Sequence, residues 1–171
     1  MPGAMISASL DDAGVQRALG RLVALLEQPA PLLRQIGQGL VEATHDRFLT
    51  GTDPWGRAWT PLSPAYAALK HNTQILVESH HLWDSINFQL GAREVAVGTN
   101  LVYGAIHQFG GTIRPTGGKA LAFRLMGAKG PHLVLARSVF IPARPYLGIG
   151  PDAAEAIELA VRIQLNHALR G

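Results

Sequence analysis

Apolar residues recur at steps of four, three and four through Val15, Leu19, Leu22 and Leu26. That spacing lays one stripe along an amphipathic helix. Asp11 and Asp12 precede it as an N-cap and an acidic first turn, and Gln28-Pro29 close it. Pro31 opens a second helix, with Leu33, Ile36, Leu40 and Thr44 on one face and Phe48 continuing it. The link is short enough to predict a close pair. Ser63-Pro64 reads as N-cap and first helical residue of a short helix through residue 70, and another fits 79–86. Alternation at Val95 and Val97 predicts a hairpin of 88–90 with 94–98. Thr99-Asn100 caps a brief helix over 101–109.

Beyond Gly110-Gly111 the pattern becomes strand-like over 112–114, 120–125 and 133–141, with glycines at 117, 118, 127 and 130 marking turns. Pro142 and Pro145 stop the last strand. Pro151 and Asp152 begin a final helix with Ile157, Val161 and Leu165 facing inward and Leu169 as a frayed end. The expected fold class is α+β: two N-terminal helices and a C-terminal helix packed on a small, mostly antiparallel sheet, with a long Gly-rich hairpin. With 171 residues, one domain over 1–171 is expected, residues 1–10 forming a flexible N-terminal segment. Met5 is an alternative start.

Composition narrows the class. Hydrophobic residues make up 47% and charged ones 16%, which excludes a disordered tail protein. Cysteine is absent, so disulfides, thiolate zinc sites and cysteine nucleophiles are excluded. No targeting segment is read in residues 1–9 and no apolar run is long enough for a membrane span; the lack of cysteine leads to the expectation of synthesis in a reducing cytoplasm. Net charge is +3, unevenly spread. Residues 95–151 carry Arg114, Lys119, Arg124, Lys129, Arg137 and Arg144 and no acid. Such a stretch tolerates phosphate nearby, or forms a solvated β face whose acidic partners lie elsewhere in space.

Catalytic patterns are missing. His80 and His81 are adjacent, about 100° apart on a helix, and His71, His107 and His132 lie in separate elements without linked carboxylates. Ser63, Ser79, Ser85 and Ser138 lack the glycine-flanked elbow of a hydrolase. The glycine-rich stretches contain neither a phosphate-loop lysine-serine pair nor a dinucleotide fingerprint. No enzyme activity, metal or cofactor is expected.

Five segments in order carry a resemblance: Asp53-Pro54-Trp55-Gly56-Arg57-Ala58-Trp59-Thr60-Pro61-Leu62-Ser63; Ile75-Leu76 with Leu82-Trp83-Asp84-Ser85-Ile86; Val97-Gly98-Thr99-Asn100; Tyr103-Gly104-Ala105-Ile106-His107-Gln108-Phe109-Gly110-Gly111; and Ile141-Pro142-Ala143-Arg144-Pro145-Tyr146-Leu147-Gly148. In order and spacing they resemble the phage virion morphogenesis family, the tail completion proteins of Mu-like and P2-like tailed phages. Gly104 stands where that family usually has Ala, and Glu78-Ser79-His80-His81 replaces the commoner Thr-Gly. The resemblance implies a structural virion protein of the neck, made in the host bacterial cytoplasm. It would complete the tail and stabilise head–tail joining as a homo-oligomeric ring. The implied partners are a head connector or portal-side protein, a tail terminator or tail tube, and packaged DNA in the channel. No cofactor is implied.

Candidate contact or motif residues are Trp55, Trp59, Tyr103, His107, Phe109, Arg144 and Pro145. The tryptophans either pin their loop to the core or serve a partner. Tyr103 with Ile106 or His107 is expected to share a buried face. Arg144, held extended by Pro145, would pair with a carboxylate of a neighbour or of its own chain. Arg114, Lys119, Arg124 and Lys129 are candidate DNA-facing residues. The alternative function is a nucleic-acid-binding accessory protein using the basic segment 114–144.

Overall fold

The computed structural model describes residues 12–70, 72–127 and 130–170. His71, Lys129 and the expected segment 1–10 with Asp11 lie outside them. Along the chain run α1 (Ala13–Glu27), α2 (Ala30–Thr50), α3 (Pro64–Ala67), α4 (His81–Asp84), β1 (Asn87–Leu90), β2 (Val95–Gly98), α5 (Gly104–Phe109), β3 (Gly111–Ile113), β4 (Leu121–Gly127), β5 (Gly130–Ala136), β6 (Val139–Ile141) and α6 (Pro151–Arg170). The α+β class stands. The single small sheet is replaced by three two-stranded antiparallel pairs, β1–β2, β3–β6 and β4–β5. The strand expected over 133–141 breaks at a bend at Arg137, so β6 returns to β3 while β5 stays with β4. The result is one nested arm: β3–β6 forms its base and the long β4–β5 hairpin its tip.

Helix α2 is the centre of the body it forms with β1, β2 and α6. Gly51 ends it in the left-handed conformation (φ 68°), its N–H bonded to the Arg47 carbonyl. One side of α2 meets β1–β2, where Gly37 leaves room for the Phe88 ring: a Cβ there would lie 2.6 Å from it. Another side meets α6 along small residues, Gly39 lying against Ala156 and Ala43 and Ala160 buried nearby. Of the expected inward stripe, Ile157 and Val161 are half-buried on this side of α6 and Leu165 is exposed. The positions that α6 buries fully beside them are Ala153, Ala160 and Ala168, small enough for the close approach to α2.

The close α1–α2 pair is likewise corrected. Helix α1 packs on α6 instead, held by Arg21, whose guanidinium donates to the Ala168 and Leu169 carbonyls at the C-terminal end of α6. Asp12 stands at the N-cap position, but its carboxylate accepts from the Gln16 side chain rather than from backbone. Val15, Leu19 and Leu26 of the predicted apolar stripe are exposed, Leu26 by 72%. The chain's own core is small: Phe48, Trp59, Val77, Leu82, Ile86 and Tyr146, with Trp83, Val97 and Leu147 packed around it.

Candidate assembly site

The segment 144–152, Arg144-Pro145-Tyr146-Leu147-Gly148-Ile149-Gly150-Pro151-Asp152, is the node on which the sequence motifs converge. Three side chains hold it. Arg47 of α2, only 2% exposed, places both ends of its guanidinium on the Asp152 carboxylate at 2.9 Å and donates again to the Tyr146 and Gly148 carbonyls. Gln108 of α5 accepts from the Tyr146 and Leu147 N–H groups through Oε1 and donates to the Leu147 carbonyl through Nε2. It thus pairs with this extended backbone as a neighbouring strand would. Arg144 reaches the other way, donating to the Thr60 and Pro61 carbonyls, while the Trp59 indole N–H donates to the Pro145 carbonyl at 2.8 Å.

The Trp loop is locked by its own chemistry. Asp53 Oδ1 accepts from the N–H groups of Trp55 and Arg57, Gly56 turns with φ 78°, and Thr52 bridges Ala58. Two tryptophans four residues apart therefore separate. Trp59 points into the core edge-on to Phe48, with ring centroids 5.7 Å apart, and Trp55 sits at the tip, 60% exposed. Pro54, just before Trp55, is fully buried against Gly148 and Gly150. A Cβ at Gly150 would fall 1.5 Å from the Pro54 carbonyl oxygen, a collision with backbone that no rotamer relieves. Gly150→Ala is therefore expected to cost about 3 kcal/mol and lower the thermal midpoint measured by circular dichroism; an unchanged midpoint would show that the Pro54 loop is not seated there.

The other expected residues divide in the same way. Arg144 is buried on backbone carbonyls of its own chain, so its expected carboxylate partner is corrected: the Thr60 and Pro61 carbonyls take that place. Tyr103 is exposed, not on a buried face; the residue that α5 buries is Gly104. His107 is half-buried, edge-on to Tyr103, with Nδ1 buried and without a hydrogen-bond partner among the described residues. Burial, and then the charge of Arg144, hold its imidazole below the usual histidine value. Phe109, at 78% exposure, faces solvent beside the turn into the arm. Arg114, Lys119 and Arg124 are exposed on that arm. Trp59, His107, Arg144 and Pro145 thus belong to the node, and Trp55, Tyr103 and Phe109 to the surface. Sequence reasoning missed Arg47, Gln108 and Asp152 as its clamps. Arg47 carries the one available signal, an arginine one step before Phe48 on the apolar face of a helix.

The match to known proteins follows the same span. The model of the phage virion morphogenesis family matches residues 10–166, from before α1 to the last turn of α6. The chain belongs to that family. Among its relatives, it is similar to the Mu-like prophage FluMu G protein 2 of Haemophilus influenzae, 33% identical over 145 residues and 84% of each chain. It is also similar to protein G of Escherichia phage Mu, named for capsid assembly, 26% identical over 171 residues, 96% of this chain and 97% of the other. No solved structure matches. A member of a virion morphogenesis family has a structural role in building the phage particle.

Two of the motif segments are fixed by local contacts. A Cβ at Gly104 would lie 2.6 Å from the Thr99 methyl and 2.9 Å from the Tyr146 hydroxyl, which itself donates to the Gly104 carbonyl. Glu78 of the Glu78-Ser79-His80-His81 segment pairs at 2.8 Å with the buried Lys70 ammonium, which also bonds to Asn72 and to the Val77 carbonyl.

Proposed function

We propose that the protein is a structural component of the phage neck that completes the tail and stabilises head–tail joining, acting by assembly and not by turnover. Copies of the chain form a ring that contacts the head connector or portal-side protein and the tail terminator or tail tube. The observation that carries this reading is the amount of large apolar side chain left on the surface: Val15, Leu19, Val23 and Leu26 on α1, Phe109 and Phe140 at the base of the arm, Leu133 and Leu135 at its tip. Apolar patches on several faces mark a chain that is finished by neighbours. A ring needs two different faces per subunit, and a helical body with a projecting arm supplies them.

A second reading, a nucleic-acid-binding accessory protein or a ring lined by these residues around packaged DNA, is favoured by Arg114, Lys119 and Arg124. All three are exposed and hold no carboxylate among the described residues. Electron microscopy of a lysate from phage lacking the gene tests the neck assignment. Filled heads beside free or over-long tails are expected; joined, normal virions would overturn it.

A further inference from the structure

The β4–β5 hairpin has no support of its own. Its register, Leu121↔Ala136, Ala122↔Leu135, Phe123↔Val134 and Arg124↔Leu133, places Leu121, Phe123, Val134 and Ala136 on one face and Ala122, Arg124, Leu133 and Leu135 on the other. The first face is half-buried and the second exposed. Neither strand packs closely on another named element. A lone two-stranded ribbon is marginal in water, and one that is apolar on both sides is an unfinished layer. Total accessible surface agrees: 12195 Å², against roughly 8,100 Å² for a compact monomer of this mass. Full exposure of the residues outside the described set would account for only about 2,300 Å² of the difference.

The complementary surface lies on the far part of the same chain. Between α2 and α6 runs an open groove of about 540 Å³, floored by Gly39, Ala43, Ala156 and Ala160 and edged by Leu159. Its charged lining consists of Glu42, Asp46, Asp152 and Glu155, without a basic side chain. Asp152 is engaged by Arg47; Glu42, Asp46 and Glu155 form no ion pair among the described residues. The arm is the mirror case, with Arg114, Lys119, Arg124 and Arg137 in a stretch of 57 residues that has no acid at all.

We propose that the arm of one copy docks in the α2–α6 groove of the next, Leu133 and Leu135 covering the alanine floor and Arg124 meeting the Glu42–Glu155 rim. This contact rests on the ring reading and specifies its head-to-tail interface. The leucines favour a protein over DNA as the occupant: they alternate with a single arginine on the exposed face, whereas nucleic-acid interfaces are polar and densely basic. Charge complementarity orients the two faces and opposes docking of arm on arm.

Because the chain has no cysteine, single engineered thiols report the contact directly. Full-length Leu133→Cys and Gln38→Cys variants, the second on the groove wall, are mixed and oxidised. A disulfide heterodimer is expected, at a yield well above that of Leu133→Cys mixed with a control on the exposed turn between β1 and β2, Arg93→Cys. Arg124→Glu on the arm chain is expected to lower the yield about tenfold, the effect of losing a close interfacial charge pair. Glu155→Lys on the groove chain should restore it. Circular dichroism checks that each variant is folded, and the exposed charge-swap pair needs no core residue to be altered.

Equal yields from groove and control thiols would overturn this interface. If sedimentation still shows multimers, the ring stands and only its contact is wrong. If neither disulfides nor multimers form, alone or on purified tails, the ring falls as well. Salt-sensitive binding of duplex DNA that protects the arm thiol of the Leu133→Cys variant and abolishes the heterodimer would assign the arm to DNA and overturn the proposal.

Discussion

Trp59→Ala is expected to lower stability by about 3–5 kcal/mol, the usual cost of emptying a buried aromatic site. The indole is 4% exposed and packs edge-on against Phe48 in the small core. Its N–H holds the Pro145 carbonyl, so the change opens a cavity and also frees one clamp on the 144–152 segment. Small domains have about 5–15 kcal/mol in total, so this variant sits near its unfolding limit. Trp55→Ala, four residues away and largely exposed, is expected to stay within about 0.5 kcal/mol of the parent. Urea titrations followed by far-UV circular dichroism give both numbers. Equal losses at the two sites would contradict the division of this loop into one anchoring and one surface tryptophan.

Arg47→Ala is the second large effect, roughly 3 kcal/mol. It strips donors from the Tyr146 and Gly148 carbonyls and the partner from Asp152 in a single step. The cost stays near the low end for a buried pair because the Asp152 side chain is 42% exposed and rehydrates when released. The same pair sets an acid limit. Burial alone would raise the Asp152 carboxyl, but hydrogen bonds from Arg47 and Ala153, together with the Arg47 charge, hold it below the ordinary aspartate value. A folded-state value below the unfolded one stabilises at neutral pH, and that contribution disappears as pH falls below about 4 through the folded value. Asp152→Asn should therefore be less stable at pH 7 and lose less on acidification. A parent and variant with parallel pH profiles would show that the pair carries no linkage.

The elements legible in the chain were those with a strong local cause. Period and proline placement located α1, α2 and α6. Ser63 caps α3 as its position before Pro64 indicates, its Oγ accepting from the Tyr66 N–H, and the Val95–Val97 alternation found β2. The faces were read less well. Periodicity says which side of a helix is apolar, not whether the chain has anything to put against it. In α6 the inward side holds at Ile157 and Val161, which are half-buried, but Leu165 is exposed and the fully buried positions are alanines, near where Gly39 of α2 lies against Ala156. In α1 the leucine stripe was real but faces outward, since the contact with α6 is made through Arg21.

The site divides along the same line. The ordered motifs were visible in the sequence and led to the family, because a family pattern is a property of residue order. That three of those motifs bind one another was invisible: Gln108 to 146–147, Arg144 to 60–61 and Trp59 to Pro145 are pairings across 38 or more positions, made with backbone carbonyls and amides that every residue possesses. Local chemistry thus settles helix starts, turns, the locked Trp loop, the acid-free charge of 95–151 and the family. Packing in three dimensions decides which tryptophan is core, that Arg47 and Asp152 close the node, and that the basic arm stands free of its own body. Those outcomes depend on distances between distant segments, and residue order carries no such distances.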